Sequence, residues 1–521
     1  MIAVLLATLV IGVWSVRAVG ADPVNLLPDT PFSNGALLAA SLAHAEFAQA
    51  GYLANRTDLL AWPTGAAYNP VMWPTIGLAL FIDPVLAVSL TMALTPLANA
   101  LGGIALGRQL KLPPITQATV GALLAFSPWV RETLANGQFE QAWPGAIALL
   151  WAVAARARER SSALNLLGLA VLSGACGASF PHLAMGGAIG LGLWFGWEWL
   201  HDRRPAVPVA LAVAIGMLVA ASWHAAGYES AISVFAPKGT GKMPTGLDGL
   251  PEVATVRSLL FAPAPPTTPS GVLHCSWLGW ALPTAACFAT LRDRRTGART
   301  GIAVASVGLL ILSLGPQLGP VPMPYRLLTL VSHTIEASGS AYRMVGAALV
   351  PLCVLAAGAP RSSLGAAGLV LLAWTETLAF GTRPLTMRAV MVERDPSVAA
   401  LNAHAGPILD LPLGNRLCPA GHYALEATRR GRPVTLITSG LPYSAHPGFL
   451  HRIADVQSSP DCGSLMAGLL TEEGFTSVVL HDHGCRMPDA LRACLNTALV
   501  PGHTVQLVAT APAGAITWWS W

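Results

Sequence analysis

Apolar positions along this chain fall in long blocks instead of alternating with polar ones. The blocks lie near residues 2–20, 84–107, 114–130, 142–155, 163–180, 184–200, 206–224, 272–291, 301–316, 343–359 and 364–381. An α-helix needs roughly 20 such residues to cross about 30 Å of hydrocarbon, so the pattern predicts about eleven transmembrane helices. A further apolar piece, Val71–Ile82, is short, contains Pro74 and stops at Asp83-Pro84. It predicts an interfacial or re-entrant element, not a crossing. From Gly381 onward the blocks stop. Short strand-like runs (PILDLPL, PVTLIT, TSVVLHD, TVQLVAT) alternate there with helical stretches such as SLMAGLLTEEG, the signature of an α/β domain. The organisation expected is therefore a helical membrane domain over 1–381, with a long first outer loop at 21–83, followed by a soluble domain over 382–521.

Composition narrows the class. Apolar residues make up 53% of the 521 and charged residues only 11%, too few to cover a water-soluble protein of this length. The formal net charge of +4 is no nucleic-acid signal, because the basic residues sit in short clusters between apolar blocks. With the N-terminus in the cytoplasm, the inside loops hold RQLK, RARER, HDRR, RDRRTGAR and Arg361, twelve Lys and Arg together. The much longer outside segments hold eight: Arg17, Arg56, Arg131, Lys238, Lys242, Arg257, Arg326 and Arg343. Insertion follows that bias, which puts the tail outside. The first block is either a retained helix or a signal peptide ending near RAVGA. It lacks a basic start, which favours retention, and Asp22 onward is outside in both cases.

Cys176, Cys275, Cys287 and Cys353 lie in or beside apolar blocks, where a thiol behaves as a small apolar side chain. Cys418, Cys462, Cys485 and Cys494 lie in the tail. In an oxidising compartment they permit two disulfides in three connectivities.

Few residues are candidates for chemistry. Asp29, in LPDTPFSN, sits between Pro28 and Pro31 just beyond the first block. It reads either as an Asx-turn acid capping the next helix or as a carboxylate held at the membrane face. Asp58 precedes a Pro-Thr-Gly turn, and Glu140 and Arg131 belong to FSPWVRETLANGQFEQAW. A loop acid, a helix-start acid and a loop cation are the ordinary readings of these three. His182 marks the outer end of the fifth block, and Tyr342 with Arg343 stand where the chain re-enters the bilayer. An arginine at that depth is costly unless paired or used, and its planar fork suits a phosphate. Glu198 and Glu376 lie in or near blocks. In the tail, His481, His483 and Cys485 match no strong zinc spacing. No Walker loop, dinucleotide fingerprint, HExxH or GxSxG is present. No pair of broken helices recurs in the two halves as in transporters.

The order of segments is informative. LPDTPFSN follows a first span, then come DLLAWPTGAAYNP, FSPWVRETLANGQFEQAW, GPVPMPYRLL, SGSAYRMVGAALVPLCVLAAG, and finally GPILDLPLG and GFTSVVLHD. This resembles a bacterial branch of the GT-C superfamily, polytopic glycosyltransferases that use polyprenyl-phosphate-linked sugars. The resemblance covers essentially the whole chain. It implies a GT-C-like fold in the bacterial inner membrane and transfer of a sugar to a cell-envelope glycan, lipid or protein. It implies an acidic residue of the first outer loop at the membrane face, a role that falls on Asp29, and a basic position in the late loop, which falls on Arg343. Superfamily members often carry a paired acidic motif where this chain has one Asp, and a divalent cation stays open as cofactor. Tyr342, His182, Glu140, Arg131 and Asp58 are expected to border the same substrate cavity. A non-catalytic scaffold and a lipid-linked-sugar transporter are the alternatives on the same fold.

The orientation is directly testable. A membrane-impermeant maleimide applied to intact cells should label Lys238→Cys and spare Arg295→Cys; the reverse pattern overturns the topology.

Overall fold

The computed structural model describes residues 1–21, 26–29, 73–79, 81–136, 141–202, 206–235, 254–261, 276–292, 297–318, 321–331, 341–381, 388–391, 408–411, 459–472, 474–475, 477–481, 493–495, 504–511 and 514–520. Helices fall on the predicted blocks. They are α1 (Ile2–Ser15), α2 (Arg17–Ala21), α3 (Trp73–Ala79), α4 (Pro84–Gln109), α5 (Pro114–Ala125), α6 (Pro128–Asn136), α7 (Pro144–Glu159), α8 (Ala163–Ser179), α9 (Pro181–Asp202), α10 (Val207–Phe235), α11 (Val256–Leu260), α12 (Ala281–Arg292), α13 (Gly297–Ser313), α14 (Tyr325–Val331), α15 (Met344–Ala357) and α16 (Ser363–Phe380). Residues 85–109 and 363–380 are long and apolar enough to cross a membrane, and five further apolar helices run 10–17 residues.

Two predicted blocks are split, the first of them, 2–20, at Val16 between α1 and α2. The stretch 114–130 breaks after Ala125, and α6 starts at Pro128. Proline cannot donate the amide that would continue the helix, and the Ser127 hydroxyl accepts the Val130 N–H at 3.3 Å to start a new one. The piece at Val71–Ile82 forms α3, seven residues long and far too short to cross. It is pinned by Thr75, whose hydroxyl donates to Thr91 Oγ1 of α4 at 3.1 Å.

The surface is apolar where a soluble protein would be polar. Leu164, Leu167 and Val171 form one exposed stripe on α8, and Leu211, Ile215 and Leu218 another on α10, with Leu164 78% exposed. Contiguous apolar faces of this kind need a non-aqueous solvent. Phe261, Trp280 and Phe380 cluster at one end with ring centroids 5.8 and 5.4 Å apart, all three exposed, as interfacial aromatics are. The fold is that of a polytopic helical membrane protein. Cys176 and Cys353 are buried as expected, whereas Cys287 is exposed on α12; Cys275 lies outside the described residues.

At the centre stands α15, all fourteen of its residues buried among α5, α7, α9, α12 and α13. Its neighbours approach closely through small residues, as helices must when lipid offers no hydrophobic drive between them. A Cβ on Gly346 would fall 2.6 Å from Leu183 and 2.9 Å from Trp129 Nε1.

The helix ends are joined across the bundle. Asn99 of α4 donates to Ala142 O at 2.9 Å and accepts from Gly145 N at 2.8 Å, capping α7. Glu376 of α16 accepts from the amides of Trp280 and Ala281 at 3.0–3.1 Å, capping α12. Arg292 at the far end of α12 donates to Gly358 O and Ala359 O at 2.8 Å, closing α15. Gly279 makes the second cap accessible: its φ is +77°, and a side chain there would meet the Glu376 carboxylate. Glu198 pairs with Arg158 and accepts from Trp194 Nε1.

The basic clusters converge on one end. Gln109 at the end of α4 and Lys111 just beyond it reach Glu159 at the end of α7, and Arg292 reaches the loop after α15.

Among strands, β1 (Leu26–Asp29) pairs antiparallel with β4 (Arg388–Met391), joining the segment before the helical body to the one after it. The strands β2 (Gln317–Leu318) and β3 (Val321–Pro322) make a small hairpin. In the tail, β5 (Ile408–Leu411), β6 (Ser477–His481), β7 (Thr504–Ala511) and β8 (Gly514–Ser520) form a mixed sheet in the order β5-β6-β8-β7. The β5–β6 pair is parallel, and helix α17 (Cys462–Glu472) lies between them in sequence. Three of the four predicted runs are these strands; PVTLIT lies outside the described residues, as do Cys418 and Cys485. Cys462 and Cys494 are disulfide-bonded.

Replacing Glu376 tests the capping role. Glu376→Leu orphans two amides and should lower stability by about 1–3 kcal/mol, and Glu376→Gln, which keeps an acceptor, should lose less. Thermal unfolding of the detergent-solubilised protein by circular dichroism measures both.

Candidate functional site

Opposite the basic end, four helix termini meet. Trp129 of α6 is fully buried and faces Tyr342, with ring centroids 6.3 Å apart. Its indole N–H donates to Gln141 O at 3.3 Å, and its carbonyl accepts from Thr133 at 2.6 Å. Tyr342 and Arg343 belong to a single 3-10 turn, Ala341–Arg343, that leads into α15. Leu183 in the first turn of α9 lies against Gly346, which brings its neighbour His182 to the same rim, half-buried. Trp143, just before α7, stacks on Phe180 at 5.6 Å. Tyr342 and Arg343 thus lie at the start of α15 beside Trp129 and Leu183, the latter next to His182 in sequence, whereas Arg131 lies against the end of α16.

The charged groups at this end are Arg343 and the Arg131–Glu132 ion pair. Arg343 is half-buried and lies 5.9 Å from the Tyr342 ring, at a helix start whose dipole also favours an anion. Arg131 Nη1 contacts Glu132 Oε1 at 2.5 Å, with Glu132 wholly buried. This pair is pressed against the end of α16, since a Cβ on Gly381 would fall 2.5 Å from Arg131 Nη1 and 2.9 Å from Glu132 Oε1. A guanidinium such as that of Arg343 can hold a phosphate by forked hydrogen bonds.

Asp29 takes part in a strand pairing. It is the last residue of strand β1, in register with Arg388 of β4. Pairing with β4 extends the backbone there, because the partner comes from residues more than 350 positions away in the chain and no local pattern signals it. β1 packs on α2 and α4. Asp58 and Glu140 lie outside the described residues, as do His483 and Cys485. Among the described residues no group of three or more His, Cys, Asp and Glu converges on a metal site.

Sequence reasoning passed over Glu132 and Gln141. Both are buried polar residues at the rim, and the adjacent charges in VRET were the available signal. A charged helix after FSPWV reads as solvated until α16 is seen to cover it.

No family model matches the sequence, and no curated protein is significantly similar to it. Solved structures are informative. The mycobacterial arabinofuranosyltransferase AftD superposes with a TM-score of 0.59 at 17% identity, over 99% of this chain and 39% of AftD. The oligosaccharyltransferase of Archaeoglobus fulgidus superposes with a TM-score of 0.53 at 12% identity, over 99% of this chain and 74% of its own. This chain therefore spans well under half the length of AftD. Its fold is the one shared by the GT-C glycosyltransferases.

Breaking the rim's ion pair should be costly. Glu132→Ala leaves the Arg131 charge buried beside α16 and should destabilise the protein by about 3–5 kcal/mol. The double replacement Arg131→Met with Glu132→Leu should recover much of that loss in a thermal-unfolding double-mutant cycle.

Proposed function

We propose that this chain is a membrane glycosyltransferase that takes a sugar from a polyprenyl-phosphate donor and passes it to a cell-envelope acceptor at the outer face of the inner membrane. The observation that carries this reading is the GT-C fold over 99% of the chain, and the half-buried Arg343 at the start of α15 agrees with it. Under the charge-derived topology the rim and the 382–521 domain face outward, and residues 1–381 form the membrane domain. The Cys462–Cys494 disulfide favours the same side, because structural disulfides persist in oxidising compartments.

The chemistry follows from the residues. An acceptor hydroxyl attacks the anomeric carbon of the donor sugar while the bond from that carbon to the phosphate oxygen breaks. The departing phosphate keeps the electron pair, and the hydroxyl proton goes to a carboxylate. Asp29 is the proposed base, and Arg343 the proposed partner of the phosphate, supported by Arg131, His182 and Tyr342 along the rim. A base at the hydroxyl and a fixed cation at the leaving group both lower the barrier. Asp58 and Glu140 remain proposed contributors to the acceptor side. Whether a divalent cation assists is part of the proposal to be tested, by metal removal in the same assay.

Asp29→Asn should reduce sugar transfer by about 10²–10⁴-fold in membranes supplied with radiolabelled lipid-linked sugar, while insertion and expression stay normal. Full transfer by Asp29→Asn would remove that residue from the mechanism. Movement of labelled lipid between leaflets with no new glycosidic bond would replace the enzyme by a transporter.

A further inference from the structure

Two short elements hang on the start of α12 and the end of α13, at the end of α12 away from Arg292. Helix α11 is tied to both. The Ala254 amide donates to Ser313 O at 2.8 Å, and the Leu278 amide to Leu259 O at 3.0 Å. Beyond α13 the β2–β3 hairpin leads into α14, whose Tyr325 is wholly buried in a cluster with Leu309, Leu312 and Met344. Tyr325 thereby fixes the hairpin against the first turn of α15.

Both elements turn apolar side chains outward. On α11, Leu259 packs on the core, whereas Val256, 59% exposed, Leu260 one turn on and Phe261 do not. On the hairpin and α14, Leu318, Val321 and Leu327 are exposed, the last to 65%. Each set carries one exposed arginine, Arg257 and Arg326, and no Asp or Glu occurs in 254–261 or 316–331. Bulk water disfavours the apolar side chains, and the hydrocarbon core disfavours the guanidiniums. The head-group layer between them accommodates both.

We propose that α11, the hairpin and α14 form a collar seated in the head-group layer, which is the outer leaflet under the charge-derived topology. Its apolar side chains rest on the upper acyl chains, and Arg257 and Arg326 bind the phosphates of anionic phospholipids. Two features select a phospholipid over another polypeptide. The patch continues surfaces that the bundle presents to lipid. Phe261 meets the exposed Trp280, which meets Phe380, and the exposed Val307 and Ile311 run up α13 toward the hairpin. Cations without neighbouring acids also complement an anionic head group. Because Tyr325 packs at the start of α15, the collar holds the Tyr342–Arg343 turn at a fixed depth beneath those head groups. The collar is independent of the glycosyltransferase reading.

The test places the photocrosslinker p-benzoylphenylalanine at Val256 or at Leu327 of the full chain and irradiates native membranes. Both positions should yield phospholipid adducts by mass spectrometry, as should the same replacement of Leu211 on the exposed face of α10. In nanodiscs with equal parts of phosphatidylglycerol and phosphatidylcholine, the adducts should favour phosphatidylglycerol. Arg257→Gln should lower that preference about fivefold at position 256, and Arg326→Gln should do so at position 327, as loss of one cation near an anionic surface implies. All four side chains are exposed, so the replacements leave packing intact. Adducts to a second copy of the chain or to another polypeptide would overturn the proposal. So would the absence of adducts at both positions while Leu211 gives them, or a phosphatidylglycerol preference that neither arginine replacement changes.

Discussion

Hydrocarbon offers no water to a helix terminus, and every amide and carbonyl left over at the end of a helix must find a partner within the protein. This constraint organises the bundle. Asn99 supplies the missing partners of α7, Glu376 those of α12 and Arg292 those of α15. Each cap comes from a different helix, so satisfying one terminus also fixes the position of two helices relative to each other. The charged members of this set are therefore structural, although charges within spans ordinarily suggest transport or catalysis.

Close approach is the complement of capping. Where helices have only van der Waals contact to hold them, small residues let backbones and aromatic rings meet. Gly346 admits both Leu183 and Trp129 against α15. That contact also builds the rim, because it draws the first turn of α9 and the start of α6 to the start of α15. Trp129, Leu183 and Tyr342 meet as a by-product of how a wholly buried helix begins. The chemistry proposed for the rim is a use of termini that the membrane forces to one level.

Much of the fold could be read from pattern alone, and the misses have physical causes. Blocks of apolar residues gave the helices because burial in lipid requires apolarity on every face, and that signal does not depend on distant contacts. The break at Pro128 was readable from FSPWV but was hidden by the apolar residues on both sides. The strand that ends at Asp29 had no local signal, because β4 returns from beyond the last helix to pair with it. Glu376 and Glu198 stood out as acids in apolar surroundings. Their partners, two backbone amides and Arg158, lie about 95 and 40 residues away, and no local rule names them. Of the candidate residues, Arg343, Tyr342, His182 and Arg131 were individually legible, whereas Glu132 was not, because its burial beside the end of α16 depends on a contact distant in sequence.

By itself the sequence determined the solvent in which the protein folds, the succession of helices and the end on which the basic loops gather. These follow from transfer free energies and from charge, quantities that each residue carries with it. The tertiary structure alone decided which termini cap which helices, which side chains share the rim and where Asp29 lies. Those outcomes depend on hydrogen bonds and close contacts between residues far apart in the chain, and such contacts exist only once the helices have packed.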